Sequence, residues 1–122
     1  MLNEKRLIIT GVVNDDSIAF TAAKKALISG ADVLLTAFPR DRRLTDEAAA
    51  KLPEKVEVVD LDVTRAEDFE ALSDKVRSKW GGLDGALHAV AFAPRDALAG
   101  DFLAARPEGI NLAFHTSAYS YA

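Results

Sequence analysis

Apolar and polar residues alternate in blocks along the chain, and the blocks predict strands and helices in turn. Four apolar runs predict strands, and the β-branched residues of the first run suit a strand that is buried on both faces. These runs cover residues 7–9, 33–36, 56–61 and 83–92. Longer segments between them repeat apolar residues at helical spacing. Strands that alternate with helices predict an α/β fold with a parallel sheet and right-handed crossovers.

The first predicted helix covers residues 17–29 and ends at Gly30, which suits the position after a helix. Its apolar spacing predicts a buried stripe of Ile18, Ala22, Ala26 and Leu27. A short second helix is predicted over residues 45–51, before a proline at position 53.

A third helix is predicted to start at Thr64 and to stop at the glycine pair of residues 81–82. Glu67 stands three residues after Thr64, the spacing of a capping box. One face of this helix should bury the residues that recur at helical spacing: Phe69, Leu72, Val76 and Trp80. Residues 94–107 are predicted as a loop anchored by Leu98, Phe102 and Leu103, and a last helix is predicted from Glu108 onward.

The turn after the first strand is the main candidate for function. Gly11 follows the apolar run, can adopt positive φ and lets another group approach the backbone. The turn-forming segment 14–17 then leads into the first helix, whose N-terminus offers free N–H groups and a positive dipole end to a phosphate. The alternative is an ordinary strand–helix unit without a ligand. The full G-x-G-x-x-G fingerprint is absent, because Val13 and Asp16 replace its second and third glycines.

The expected strand order is 3-2-1-4, a Rossmann-type doubly wound sheet in a single dinucleotide-binding domain of residues 1–122. Such folds often place an acid at the end of the second strand, and none stands there. Phe38 is a candidate to lie beside an adenine. Three arginines follow Phe38: Arg40, Arg42 and Arg43. They could face a 2′-phosphate or begin a solvated helix, and we favour the solvated helix.

His88, inside the fourth apolar run, is interpreted as a core histidine rather than a catalytic or metal-binding one.

Composition narrows the classes of function further. The net charge is -4 and no stripe of lysine and arginine is present, which argues against a nucleic-acid surface. The 122 residues contain no cysteine, which excludes disulfides and thiolate chemistry within them, and no metal site is predicted. No apolar run suits a signal peptide or a membrane span, so a cytoplasmic protein without a membrane contact is expected.

Several motifs together resemble one protein family over essentially the whole chain. They are GVVNDDSIAF, LDVT, LDGALHAVAFAPRDALAGDF and HTSAYSYA. The chain resembles the enoyl-acyl-carrier-protein reductases, a divergent branch of the short-chain dehydrogenase/reductase superfamily. The resemblance implies NADH-dependent reduction of trans-2-enoyl thioesters in fatty-acid elongation, with an acyl-carrier-protein- or CoA-linked substrate and a homo-oligomer, a homotetramer in our prediction. NADPH is the less favoured cofactor.

The resemblance also implies the residues that bind the cofactor. Four of them would hold the pyrophosphate: Gly11, Val12, Ser17 and Ile18. Val13, in the same turn, is also expected among the cofactor-binding residues. Phe38 would flank the adenosine, and Asp62 and Val63 would contact the adenine. The ribose and nicotinamide side would be lined by Ala89, Val90 and Ala91, with Thr116 beneath. Ala89 stands where many members of the family have serine, and Ala91 where many have glycine. Both side chains are small, so the cofactor can still approach closely, but the hydroxyl contact of the serine is lost.

The family's catalytic tyrosine and lysine would lie after the last predicted helix. Tyr119 and Tyr121 do not match that tyrosine, because no lysine follows them. We therefore expect no catalytic residue among these residues, an apparent truncation before the Tyr/Lys segment, and no turnover by the 122 residues alone. Two alternatives remain: a nucleotide-binding or interaction module without catalysis, and another short-chain reductase that acts on a carbonyl.

Overall fold

The computed structural model describes residues 1–98 and 100–122, and they divide into two compact units, Met1–Ala89 and Val90–Ala122. The first unit contains four strands and three helices. The strands are β1 (Arg6–Ile9), β2 (Asp32–Ala37), β3 (Glu57–Asp60) and β4 (Gly85–Leu87). The helices are α1 (Ile18–Ile28), α2 (Arg42–Ala49) and α3 (Ala66–Trp80), and a 3₁₀ turn at Pro39–Asp41 precedes α2.

All four strands are parallel, and their order in the sheet is β3-β2-β1-β4. This confirms the α/β class and the predicted order 3-2-1-4. Ile9 at the end of β1 is level with Leu35 of β2 and with Leu87 of β4. The carboxyl ends of the strands therefore meet along one edge of the sheet, where ligands bind in folds of this kind.

The main core lies between one face of the sheet and the first two helices. Ile9, Val33 and Leu35 provide the strand side of this core. The helical side consists of small and apolar residues: Ala19, Phe20, Ala23, Ala26 and Leu27 from α1, and Ala48 and Ala49 from α2. Because side chains alternate across a strand, Ile8 and Leu34, also buried, face the other side of the sheet.

The helix α1 is rotated relative to the predicted stripe. Ile18 is 86% exposed and Ala22 is only half-buried, so the prediction was wrong for these two residues. Phe20 is buried instead. A large aromatic side chain gains more from burial than alanine, and turning Phe20 inward leaves Ile18 on the open side of the first turn.

The start of α3 also differs from the prediction. Arg65 is the N-cap residue and makes no side-chain cap hydrogen bond, so the capping box at Thr64 was wrong. The hydroxyl of Thr64 donates to Oδ1 of Asp62 at 2.7 Å, a local bond that competes with capping. Of the predicted helix face, Leu72 and Val76 are buried, whereas Phe69 is exposed and Trp80 half-buried. Gly81, with φ of 72°, ends the helix as predicted.

The remaining element boundaries moved by a few residues. Helix α2 begins at Arg42 rather than at residue 45, because the 3₁₀ turn leads straight into it. Strand β4 spans only Gly85–Leu87, far less than the predicted residues 83–92. His88 lies just after β4 and is half-buried, so it is less buried than a core histidine.

The second unit is helical. It contains α4 (Arg95–Leu98), α5 (Pro107–Ser117) and 3₁₀ turns at Phe102–Ala104 and Tyr119–Tyr121. Residues 94–107 are thus partly helical rather than a plain loop, and the predicted anchors are exposed: Leu98, Phe102 and Leu103. An ion pair joins Arg106 to Asp96 at 2.6 Å and holds the pKa of the Asp96 carboxyl below its usual value. Among the described residues, no helix combines the length and apolar character needed to cross a bilayer.

Candidate functional site

The turn that follows β1 begins at a close crossing of two chain segments. Gly11 has φ of 80°, as its predicted role in the turn requires. A Cβ built on Gly11 would lie 2.0 Å from the carbonyl oxygen of Ala89, at the exit of β4. Both the backbone angle and the lack of space restrict this position to glycine. The structure therefore brings together two of the predicted cofactor residues, Gly11 and Ala89.

Thr10 joins the ends of β1 and β4 beside this crossing. Its backbone N–H and its hydroxyl both donate to the carbonyl of Leu87, at 3.0 and 3.2 Å. The same hydroxyl oxygen accepts the N–H of Ala89 at 2.9 Å. Thr10 is buried, and the two bonds of its hydroxyl are partly buried. The sequence pattern predicts for Thr10 only the end of the apolar run, although a hydroxyl between a buried strand and a glycine is the available signal for this role.

Local hydrogen bonds shape the segment between Gly11 and α1. Oδ1 of Asn14 accepts the N–H of Asp16 at 3.1 Å, and the carbonyl of Asn14 accepts the hydroxyl of Ser17 at 2.6 Å. Ser17 is the N-cap residue of α1 but makes no side-chain bond to the helix. The first N–H groups of a helix have no partner within the helix, and here they lie directly after the turn. An anion can bind there, with Ile18 exposed beside it.

Two contacts join the turn to α2 and the segment after it. The hydroxyl of Thr45 donates to the carbonyl of Val12 at 2.6 Å, in a buried environment. Lys51 donates to Asp15 at 2.8 Å, and this bond is the first cause that lowers the pKa of the Asp15 carboxyl. Sequence reasoning missed Thr45, since only the fold brings residues 12 and 45 together.

The end of β2 presents one aromatic ring and three arginines. Phe38 is exposed, and the guanidinium of Arg40 lies 5.3 Å from the centre of its ring. Arg42 donates to Asp46 at 3.0 Å and to Asp60 at 2.8 Å, and the bond to Asp60 is the first cause that raises its pKa. Arg43 pairs with the carboxylate one turn along α2, that of Glu47. The arginines after β2 are thus engaged within the protein.

The end of β3 carries the predicted adenine contacts. The backbone N–H of Asp62 donates to Asp68 at 2.8 Å. Oδ1 of Asp62 accepts both the N–H and the hydroxyl of Thr64, at 2.9 and 2.7 Å. These bonds hold the Asp62 carboxylate in one orientation at the sheet edge, half-buried. Val63 is buried next to it.

The other predicted residues lie in the second unit. Val90 is half-buried and Ala91 is exposed. Thr116 lies in α5 and is buried, and its carbonyl accepts the hydroxyl of Ser120 at 2.6 Å. Within this unit the hydroxyl of Ser117 donates to the carbonyl of Phe92 and accepts its N–H, both at 3.0 Å. This pair of bonds ties the start of the unit to α5.

Comparison with known proteins shows which family the chain resembles. A family model described as enoyl-(acyl carrier protein) reductase matches residues 11–122. The chain is 36% identical to an enoyl-[acyl-carrier-protein] reductase [NADH] of Mycolicibacterium smegmatis, covering 100% of this chain and 46% of that protein. It is also 36% identical to the reductase of the same name from Haemophilus influenzae, covering 98% and 46%.

A third relative, from Aquifex aeolicus, is 35% identical over 98% of this chain and 44% of its own length. The chain therefore spans about half the length of the curated relatives that it matches. The family model covers nearly all of the chain, which confirms the resemblance inferred from the motifs. The chain belongs to the enoyl-(acyl carrier protein) reductase family.

Proposed function

We propose that this chain forms the NADH-binding half of an enoyl-acyl-carrier-protein reductase. The observation that carries the proposal is the turn at Gly11, after which α1 begins with its N-terminus at the carboxyl edge of the sheet. Relatives named as NADH-dependent reductases match the chain along its whole length and support the same reading. We also propose that residues 1–122 form a single dinucleotide-binding domain.

The pyrophosphate would bind across the turn and the first residues of α1. Gly11 forms the turn through its positive φ, and the N–H groups that start α1 provide donors and a positive dipole end. Ser17 would add one hydroxyl contact by turning its O–H from the carbonyl of Asn14, its acceptor in this structure, to a phosphate oxygen. The backbone around Val12 and Val13 and the exposed side chain of Ile18 would complete this part of the site.

The adenosine would lie along the ends of β2 and β3. The exposed ring of Phe38 offers an apolar surface for the adenine side. The carboxylate of Asp62, oriented by Thr64, is suited to accept the adenine amino group. The N–H of Val63 would then reach a ring nitrogen. No acid follows β2 directly, so Asp62 is the carboxylate that we assign to the nucleoside.

The ribose and nicotinamide end is assigned to Ala89, Val90, Ala91 and Thr116. NADH, when bound, supplies the hydride that reduces the substrate double bond. The alanines at 89 and 91 are small, so a cofactor could approach the backbone closely there. We assign no catalytic residue within this chain, and we propose that the 122 residues alone give no turnover.

The substrate would be a trans-2-enoyl thioester carried by acyl carrier protein or CoA, in fatty-acid biosynthesis in the cytoplasm. We also propose that the enzyme acts as a homo-oligomer, specifically a homotetramer. The exposed apolar side chains of the second unit support further association: Leu98, Phe102, Leu103 and Phe114. Light scattering on the protein expressed from the complete reading frame would test this, and a monomer would contradict it.

The test of function uses the protein expressed from the complete reading frame that contains these residues. NADH oxidation is followed with a crotonyl thioester and, in parallel, with a 3-ketoacyl thioester as the matched carbonyl substrate. We expect oxidation with the crotonyl thioester only. Oxidation with the ketoacyl thioester instead would indicate a carbonyl reductase, and NADH binding without oxidation of either would indicate a non-catalytic module.

A further inference from the structure

Thr45 makes an unusual contact for a threonine within a helix. It lies in α2, is 1% exposed, and donates its hydroxyl to the carbonyl of Val12 at 2.6 Å. A helical threonine ordinarily returns this hydroxyl to a carbonyl one turn back in its own helix. Here the bond instead crosses to the turn after β1, 33 residues away in the chain.

The carbonyl that Thr45 binds is itself buried. Val12 is 1% exposed, although the next residue, Val13, is 41% exposed. A buried carbonyl that loses its donor costs stability or rotates to find another donor. The Thr45 hydroxyl therefore fixes the orientation of the peptide group between Val12 and Val13.

That orientation decides where a backbone donor of the turn points. A trans peptide group is planar, and its C=O and N–H point in opposite directions. Because the carbonyl of Val12 is directed at Thr45, the N–H of Val13 is directed away from α2. The N–H lies in the turn between Gly11 and α1, on a residue that reaches the surface.

We propose that Thr45 is a positioning residue for the nucleotide site, which holds the Val12–Val13 peptide so that the N–H of Val13 meets the pyrophosphate. This inference rests on the proposed NADH-binding function and extends it to a residue that does not itself contact the cofactor. The N–H of Val13 would donate to the pyrophosphate of any ligand that carries this group.

A second link from the same part of the chain provides a comparison. Lys51, just after α2, donates to Asp15 in the turn at 2.8 Å, but both side chains are exposed. Exposed ion pairs are weak because water screens them and the side chains must be ordered. The Lys51 contact should therefore contribute far less to the geometry of the turn than the buried Thr45 bond.

The test compares NADH affinity and thermal stability among variants of the protein from the complete reading frame. Thr45→Val keeps the shape but removes the donor, and we expect NADH binding to weaken roughly tenfold. Thr45→Ser restores the hydroxyl and should bind within about twofold of wild type. Thr36→Val is the matched control, because Thr36 is also buried but lies in β2 outside the turn. Lys51→Met should bind as wild type does.

A second readout separates positioning from a general loss of stability. The backbone amide NMR resonance of Val13 in the free protein should shift in Thr45→Val and stay in place in Thr36→Val, at equal distance below their melting temperatures. If Thr45→Val does not fold, Thr45→Cys, with a weaker donor, should bind NADH with an intermediate loss.

Unchanged NADH affinity in Thr45→Val, or in Thr45→Cys where that variant replaces it, would overturn the inference. So would a loss no greater than that of Thr36→Val. If wild type itself binds no NADH, the proposed function fails and this inference fails with it. If wild type binds NADH and the Thr45 variants bind equally well, only the positioning role fails.

Discussion

The carbonyl oxygen of Ala89 occupies the space that a side chain on Gly11 would need, with only 2.0 Å between that oxygen and a Cβ built on the glycine. The two residues follow adjacent parallel strands, β1 and β4, and Thr10 fixes both strand ends by its hydrogen bonds. The glycine is therefore required by the packing of the two strand ends against each other. The space expected to be kept open for a phosphate is partly filled by the protein's own backbone.

Replacement of Gly11 should accordingly destabilise the fold. Positive φ costs a non-glycine residue about 1–2 kcal/mol, and forced overpacking costs about 1–3 kcal/mol more. We expect Gly11→Ala to lower the free energy of unfolding by about 2–5 kcal/mol in a denaturant titration. Gly11→Val, with two further methyl groups, should be still more severe.

Gly81 provides the control for this prediction. Its φ of 72° is close to that of Gly11, but among the described residues no atom other than those of Gly81 and its chain neighbours lies within 4 Å of a Cβ built there. Gly81→Ala should thus show only the backbone cost of about 1–2 kcal/mol. Equal destabilisation by the two alanine substitutions would mean that the contact with Ala89 is not the cause.

Ser17→Ala should weaken NADH binding modestly. The hydroxyl of Ser17 donates to the carbonyl of Asn14, so it both shapes the turn and lies at the start of α1. Loss of one such hydrogen bond is worth about 1 kcal/mol, roughly a fivefold change in affinity. Calorimetric titration with NADH checks this, and a loss of a hundredfold or no loss at all would be inconsistent with one hydroxyl contact.

NADH should bind more tightly than NADPH. Arg42 is held by Asp46 and Asp60, Arg43 is paired within α2, and Arg40 lies over the ring of Phe38. A 2′-phosphate would have to draw Arg42 away from two carboxylates to gain a charged contact with it. Titration with both cofactors tests the preference, and NADPH binding tenfold more tightly, about 1.4 kcal/mol, would reverse the conclusion.

A variant that frees Arg42 should reduce the preference for NADH over NADPH. Asp60→Asn removes one of the two carboxylate partners of Arg42. The pairing of β3 with β2 is made by backbone hydrogen bonds, so the substitution should leave the strand in place. We expect NADPH affinity to rise in Asp60→Asn and NADH affinity to change little. No change in either affinity would indicate that Arg42 does not limit the choice of cofactor.

The link between β1 and the start of β4 should depend on pH. Asp84 accepts the backbone N–H of Arg6 at 2.9 Å and the ammonium of Lys5 at 3.2 Å. These contacts, the backbone bond first, hold the pKa of the Asp84 carboxyl below its ordinary value. A carboxyl with a lowered folded-state pKa stabilises the fold above its unfolded-state pKa of about 3.9, and this contribution is lost as the pH falls through the folded-state value.

Asp84→Asn tests this dependence. We expect the variant to be less stable than wild type near neutral pH and the difference to shrink as the pH falls below about 4. Denaturant titrations of both proteins across that range provide the measurement. A difference that stays constant, or that grows toward acid pH, would contradict the assigned role of the carboxylate.

The sequence predicted the sheet because its signals are local. Each strand overlaps a predicted apolar run, and the glycines at positions 11, 30 and 81 mark turns where φ is positive in the structure. Parallel strands that alternate with helices leave few possible orders, and 3-2-1-4 is the order observed. The position of the glycine turn relative to α1 followed from the same local signals.

Features that depend on distant partners were not predictable. Helix α1 turns to bury Phe20 rather than Ile18, a choice made by packing on the sheet. The hydroxyl of Thr64 binds Asp62 instead of capping α3, and the fourth apolar run pairs over only three residues. The bond from Thr45 to Val12 joins segments that only the completed fold brings together.

Hydrogen exchange with and without saturating NADH tests the central claim most directly, on the protein expressed from the complete reading frame. We predict slower amide exchange on NADH addition in residues 11–19, with smaller protection at residues 37–40 and 60–64. ADP-ribose should protect the same segments, since it carries the pyrophosphate and adenosine. NADH binding without protection in residues 11–19, or no NADH binding at all, would contradict a nucleotide site at this edge of the sheet.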